Sequence, residues 1–155
     1  MKTIKKLFEK LSELNASENS VALGFACGAA ISMTPFIGFH TLLAASTAFL
    51  IKASVLASLV GTIVGNPWTF AFIWPASYEL GRLILGRQKR NNLDFDAVFD
   101  NFKNAFGSHD FSGISQDLEE VIYPMAVGGV ILYVITFALS FVIIKHILKK
   151  LKNKH

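Results

Sequence analysis

The chain has 155 residues, 52% hydrophobic and 17% charged, with a formal net charge of +4. Soluble domains carry about 25% charged residues, and here the deficit falls on Val21–Leu85 and Val121–Ile144, which read as membrane-embedded. That length argues against a secretory signal, whose apolar region spans about 7–15 residues, and basic residues flanking the apolar stretches argue for anionic lipid headgroups over nucleic acid.

Residues 1–20 place Ile4, Leu7, Phe8, Leu11 and Leu14 at helical spacing, with Lys2, Lys5, Lys6 and Lys10 on the other side. This predicts an amphipathic helix in the membrane interface. A soluble partner-binding helix is the competing reading. Ser20 is the expected N-cap of the helix that follows.

Residues 21–85 form a paired core, predicted as two apolar units separated by Lys52. The first breaks at Thr34-Pro35 and the second at Asn66-Pro67. Unbroken, a unit of this length would run about 46 Å, too long for an apolar core of roughly 30 Å. Each half reaches only about 21 Å, too short to cross. Each unit is therefore either a kinked span or a re-entrant hairpin with proline at its tip. Proline stops the incoming helix and suits the first position of a new one, and Thr34 and Asn66 are cap residues. Each break is expected to end one helix and start the next, leaving a partly positive N-terminus that suits an anion. Offset by 32 residues, Thr34-Pro35 falls on Asn66-Pro67, a candidate structural repeat.

Small residues recur every four positions before the second break: Ala53, Ala57, Gly61, Gly65 beside Ser54, Ser58, Thr62, Asn66. Gly24 and Gly28 share the spacing. Such stripes predict close helix packing. Residues 86–120 are polar, with Phe95, Val98, Phe99, Phe102 and Phe106 at helical spacing, a second interfacial helix. Asp94, Asp96 and Asp100 lack the glycine and glutamate of a calcium loop, so no metal is expected. Residues 121–144 predict one transmembrane helix, started by Pro124 and packed through Gly128-Gly129. Residues 145–155 are a basic tail. Both termini are expected on the cytoplasmic side, which demands an even number of crossings, for example one re-entrant unit and two spans.

The polar groups at the breaks are the candidate substrate-binding residues: Thr34, Pro35, Gly38, His40 and Thr41 at the first, Asn66, Pro67 and Thr69 at the second. An ionisable residue at membrane depth is a functional candidate by default. His40 reads as a proton relay or an anion partner, or as a neutral histidine bonded to a carbonyl freed by the break. Glu79 and Arg82, three apart, are expected to pair. No nucleophile–base pair, nucleotide loop or metal cluster is visible. Neither catalysis nor a cofactor is expected.

Pro35-x-x-Gly38-x-His40-Thr41, the turn at Lys52, Gly61-x-x-x-Gly65-Asn66-Pro67-x-Thr69 and Tyr78-x-x-Gly81 together resemble a bacterial membrane family catalogued as domain of unknown function 2062. The resemblance covers roughly residues 16–144. It departs at the turn, where Ala53 stands in place of the family's common asparagine. It implies a bacterial inner-membrane location and no established activity. Some members resemble fusions to glycosyltransferase domains, which points to envelope lipids or glycans.

The expectation is an all-α integral membrane protein with two proline-broken units, one C-terminal transmembrane helix and amphipathic interfacial helices. Two functions compete. One is a carrier or flippase for an anionic solute or lipid headgroup, working as a homo-oligomer. The other is a non-transporting adaptor for an envelope enzyme.

Overall fold

Helix α1 (Glu18–Ile31) starts at Ser17, whose hydroxyl accepts from the Ser20 amide at 3.2 Å. The cap is thus Ser17 and not Ser20, because Glu18 and Asn19 are already helical. The computed structural model describes residues 17–35, 39–88, 97–98, 100 and 117–153. All regular structure among them is helical. The amphipathic helix expected within residues 1–15 lies outside the described residues, as does most of the one expected around Phe95–Phe106. Of the latter, Val98 is described, and it packs with Tyr78, Val121 and Met125.

After α1 come α2 (His40–Leu50), α3 (Val55–Gly61), a 3-10 turn (Thr62–Val64) and α4 (Pro67–Ile84). A π turn (Leu118–Ile122) then leads into α5 (Tyr123–Lys152). The first pair is a hairpin. His40, at the start of α2, sits beside Thr34, while past its end the Ser54 amide donates to the Ser20 carbonyl at 3.0 Å. Lys52 takes a positive φ of 55° to make the return turn. Helix α3 then runs parallel to α1, with the Ser54 hydroxyl capping it through the Ala57 amide.

The small-residue stripes face one another. A side chain on Gly24 would strike the Ser54 carbonyl, one on Gly28 the Ser58 carbonyl, and one on Gly61 the Phe25 carbonyl. Helix α1 is the hub of the bundle, with α2, α3 and α5 all packed on it. Its Ala22, Ala26, Ala29 and Ala30 are completely buried, since only small side chains admit three close neighbours.

Leu118–Lys152 is one continuous helix of 35 residues, long and apolar enough to cross a membrane. At 1.5 Å per residue it spans about 50 Å. Its C-terminal half runs antiparallel to α1: Ile144 and Leu148 pack on Val21 and Ala22, and Lys152 pairs with Glu18 at 3.1 Å. Its N-terminal half packs on α4, where Gly128 meets the Ser77 carbonyl and Gly81 the Pro124 carbonyl. A row of apolar side chains on α5, Val130, Val134, Ile135, Leu139, Val142 and Ile143, is left exposed. α3 with its 3-10 turn and α4 form a second apolar pair, bent by 82° at the break between them.

Pro124 stands at the start of α5, as expected, and a π turn extends the helical structure before it. In its register Pro124 has no N–H to give the Glu119 carbonyl, and the Arg87 guanidinium donates to that carbonyl instead, at 2.6 Å. The same guanidinium lies 5.4 Å from the centre of the Tyr123 ring. Glu79 and Arg82 pair on α4 as their spacing predicts.

Candidate functional site

The two breaks are built differently. At the first, the Thr34 hydroxyl donates backward to the Ile31 carbonyl at 2.6 Å, and the Met33 and Thr34 amides bond to Ala30 and Ile31. Thr34 therefore closes α1 and does not cap α2, contrary to the reading of its sequence. Helix α2 begins at His40, with Phe39 in the cap position and no side-chain bond there. The hydroxyl gives its hydrogen to Ile31 and its oxygen caps no amide of α2, because that helix starts only at His40, as the returning arm of a hairpin.

The second break restarts at once. The Asn66 Oδ1 accepts from the amides of Trp68 and Thr69 at 3.0 and 3.1 Å, and the Asn66 amide donates to the Thr69 hydroxyl oxygen at 2.9 Å. This is a reciprocal capping box with Pro67 at the first helical position. The same two side chains close the preceding turn: the Thr69 hydroxyl lies 2.6 Å from the Val64 carbonyl, and the Asn66 Nδ2 lies 3.3 Å from the Ile63 carbonyl. The Phe70 amide bonds to the Asn66 carbonyl at 2.9 Å. Every amide hydrogen of the first turn of α4 thus has a partner within the chain. A helix start holds an anion through free amides, and this one has none to offer.

The breaks meet in space. Gly65 packs against the Ser32 side chain so closely that a Cβ there would come within 2.7 Å of the Ser32 Oγ. Ser32 is fully buried, donates to the Gly28 carbonyl at 3.1 Å and lies 3.4 Å from the Thr62 carbonyl. From α5, Gly129 comes against the Met33 carbonyl and the Pro35 ring. One glycine of the Gly128-Gly129 pair therefore packs on α4 and the other on the first break.

His40 joins the breaks from the other side. Its Nε2 lies 3.1 Å from the Thr34 carbonyl, and its ring stacks on Phe70 of α4 with centroids 5.4 Å apart. Phe70 in turn stacks on Trp74 at 5.4 Å. The imidazole is 9% exposed. Its hydrogen bond to a carbonyl at the break is the one that the sequence allows a neutral histidine.

Of the residues singled out from sequence, Thr34, Pro35, His40, Asn66 and Thr69 lie at or beside the breaks, and Pro67 opens α4. Thr41 is next to His40 in sequence but exposed on the outer face of α2. Gly38 lies outside the described residues. Ser32, Gly65, Phe70 and Gly129 also shape the region and were not among the candidates. Ser32 had a signal, since it continues the four-residue spacing of Gly24 and Gly28 with a polar side chain. Phe70 had none, being one of 14 phenylalanines. Among the described residues no group of three or more His, Cys, Asp or Glu side chains comes together as a metal site would require.

By class this is an all-helical protein with one candidate membrane helix and two helix breaks packed against each other. It belongs to the family described as "uncharacterized protein conserved in bacteria (DUF2062)", whose model matches residues 1–155. No curated protein and no solved structure matches the chain.

Proposed function

We propose that this chain is a multi-pass, non-enzymatic protein of the bacterial inner membrane that carries or flips an anionic solute or lipid headgroup. The observation that supports this most is the contact between the two breaks, Ser32 on Gly65 and His40 on Phe70. Broken helices survive at membrane depth only where protein or a water-filled cavity covers the freed backbone, and paired breaks are how carriers build a mid-depth site. The group left to face a ligand is the His40 imidazole, since the amides of α4 are already used.

The helix ends suit this reading. The Glu18–Lys152 pair and the Ser54–Ser20 bond bring the start of α1, the Lys52 turn and the end of α5 to one side of the bundle. In a membrane, α1 and α2 would enter and return, α3 with α4 would cross, and α5 would cross back. Both ends of the bundle then share a side, and Lys52, Lys149, Lys150 and Lys152 make it the cytoplasmic one. Three apolar units leave much of the broken helices uncovered, with Phe49, Leu50, Trp68 and Phe72 all exposed, which favours a homo-oligomer.

One observation favours the competing reading of a non-transporting adaptor: the hydrogen bonds at Asn66 and Thr69 are closed among themselves. Reconstitution into phosphatidylethanolamine–phosphatidylglycerol vesicles separates the two. A carrier moves a labelled phosphatidylglycerol headgroup or sulfate, and His40→Ala slows it at least tenfold. An adaptor moves neither probe.

A further inference from the structure

We propose that His40 is the proton-binding group of this site, and that anion and proton occupy it together. The inference rests on the carrier reading and supplies its coupling ion. The Thr34 carbonyl can only accept, so the Nε2 facing it at 3.1 Å carries the hydrogen. That leaves Nδ1 as the lone-pair nitrogen, and it has no protein partner among the described residues. A proton can therefore arrive at Nδ1 without disturbing the bond that ties α2 to the first break. The neutral and charged rings share the same anchor.

The Thr34 carbonyl faces Nε2–H, and the Phe70 ring lies 5.4 Å away at an interplanar angle of 28°. Among described residues, no charged group meets the ring from the elements around it. On α4 the nearest are Glu79 and Arg82, paired with each other and more than two turns beyond Phe70. The other titratable groups on this side are Cys27 of α1 and Tyr133 of α5, packed around Ala44 one turn along α2. α3 and its 3-10 turn carry none. Among the described residues no group would compensate the new charge, and a bound anion is what would compensate it. Nδ1–H then donates to the anion. The cycle balances: water on one side gives the proton to Nδ1, the anion pairs with the imidazolium, and on the other side anion and proton both leave to water.

The experiment uses full-length protein in vesicles with a pH-reporting dye inside, and two probes: labelled phosphatidylglycerol for a headgroup and sulfate for a free anion. Movement of one probe with matching proton movement is expected, and which probe moves identifies the source of the anion. His40→Gln keeps a donor for the Thr34 carbonyl but cannot be charged, and it should lose probe movement at least tenfold while eluting as a folded species. Histidine nitrogen NMR on the wild type should show the Nε2–H form at high pH and the imidazolium at low pH. Probe movement with no proton movement, unchanged transport in His40→Gln, or an Nδ1–H neutral ring would each overturn the inference and leave the carrier standing. No movement of either probe by the wild type would overturn both.

Discussion

Asn66 holds the second break from both sides. Its oxygen caps two amides of α4 and its nitrogen reaches back to the Ile63 carbonyl. Removing a cap of this type costs about 1–2 kcal/mol, and in an apolar setting the freed groups find no water. Asn66→Ala should therefore lower the thermal midpoint in detergent by several degrees. Asn66→Asp, which keeps the accepting oxygen, should recover most of that loss. Equal losses in the two variants would mean that the cap is not what holds the second break. The sequence announced this residue openly, because Asn-Pro with threonine two places later is a helix start that local chemistry alone builds. Thr34-Pro35 looked the same and was not. A threonine hydroxyl can donate to the turn before it and accept from the turn after, and whether it also does the second depends on where the next helix starts.

At the scale of elements, the bundle is held by carbonyls resting on glycines. Gly24 and Gly28 receive α3, Gly81 and Gly128 join α4 to α5, and Gly129 sits on the first break. The four-residue spacing was visible in the chain, and so was its meaning as packing. Which helices it joins was not, since spacing names a face and not its partner. The paired units were also only half legible. Their first halves, α1 and α3, run parallel as a repeat requires, and their second halves diverge: α2 folds back, whereas α4 leaves at an 82° bend. The cause is the difference in capping at the two prolines. Gly128→Ala places a methyl group against the Ser77 carbonyl and must push α4 and α5 apart. Gly86 has a positive φ of 65° with open space around it, so Gly86→Ala adds only local backbone strain of about 1 kcal/mol. The first substitution should lower the thermal midpoint by clearly more than the second. The reverse order would contradict the packing described between α4 and α5.

For the whole molecule, composition pointed to an apolar environment, and the exposed apolar row along α5 agrees with it. What no local pattern could reveal is that two breaks 32 residues apart come together, because that contact depends on α1 and α3 lying side by side. The central claim is that this meeting point is a water-reached site inside the membrane and not a lipid-sealed joint. Thr34 reports on it directly, being partly exposed at the first break with its carbonyl facing His40. With the native Cys27 replaced by alanine, a cysteine at position 34 should react in intact membranes with a small charged thiol reagent, and sulfate or added phosphatidylglycerol headgroup should slow that reaction. Labelling only by a lipid-soluble reagent, unaffected by either anion, would contradict the account.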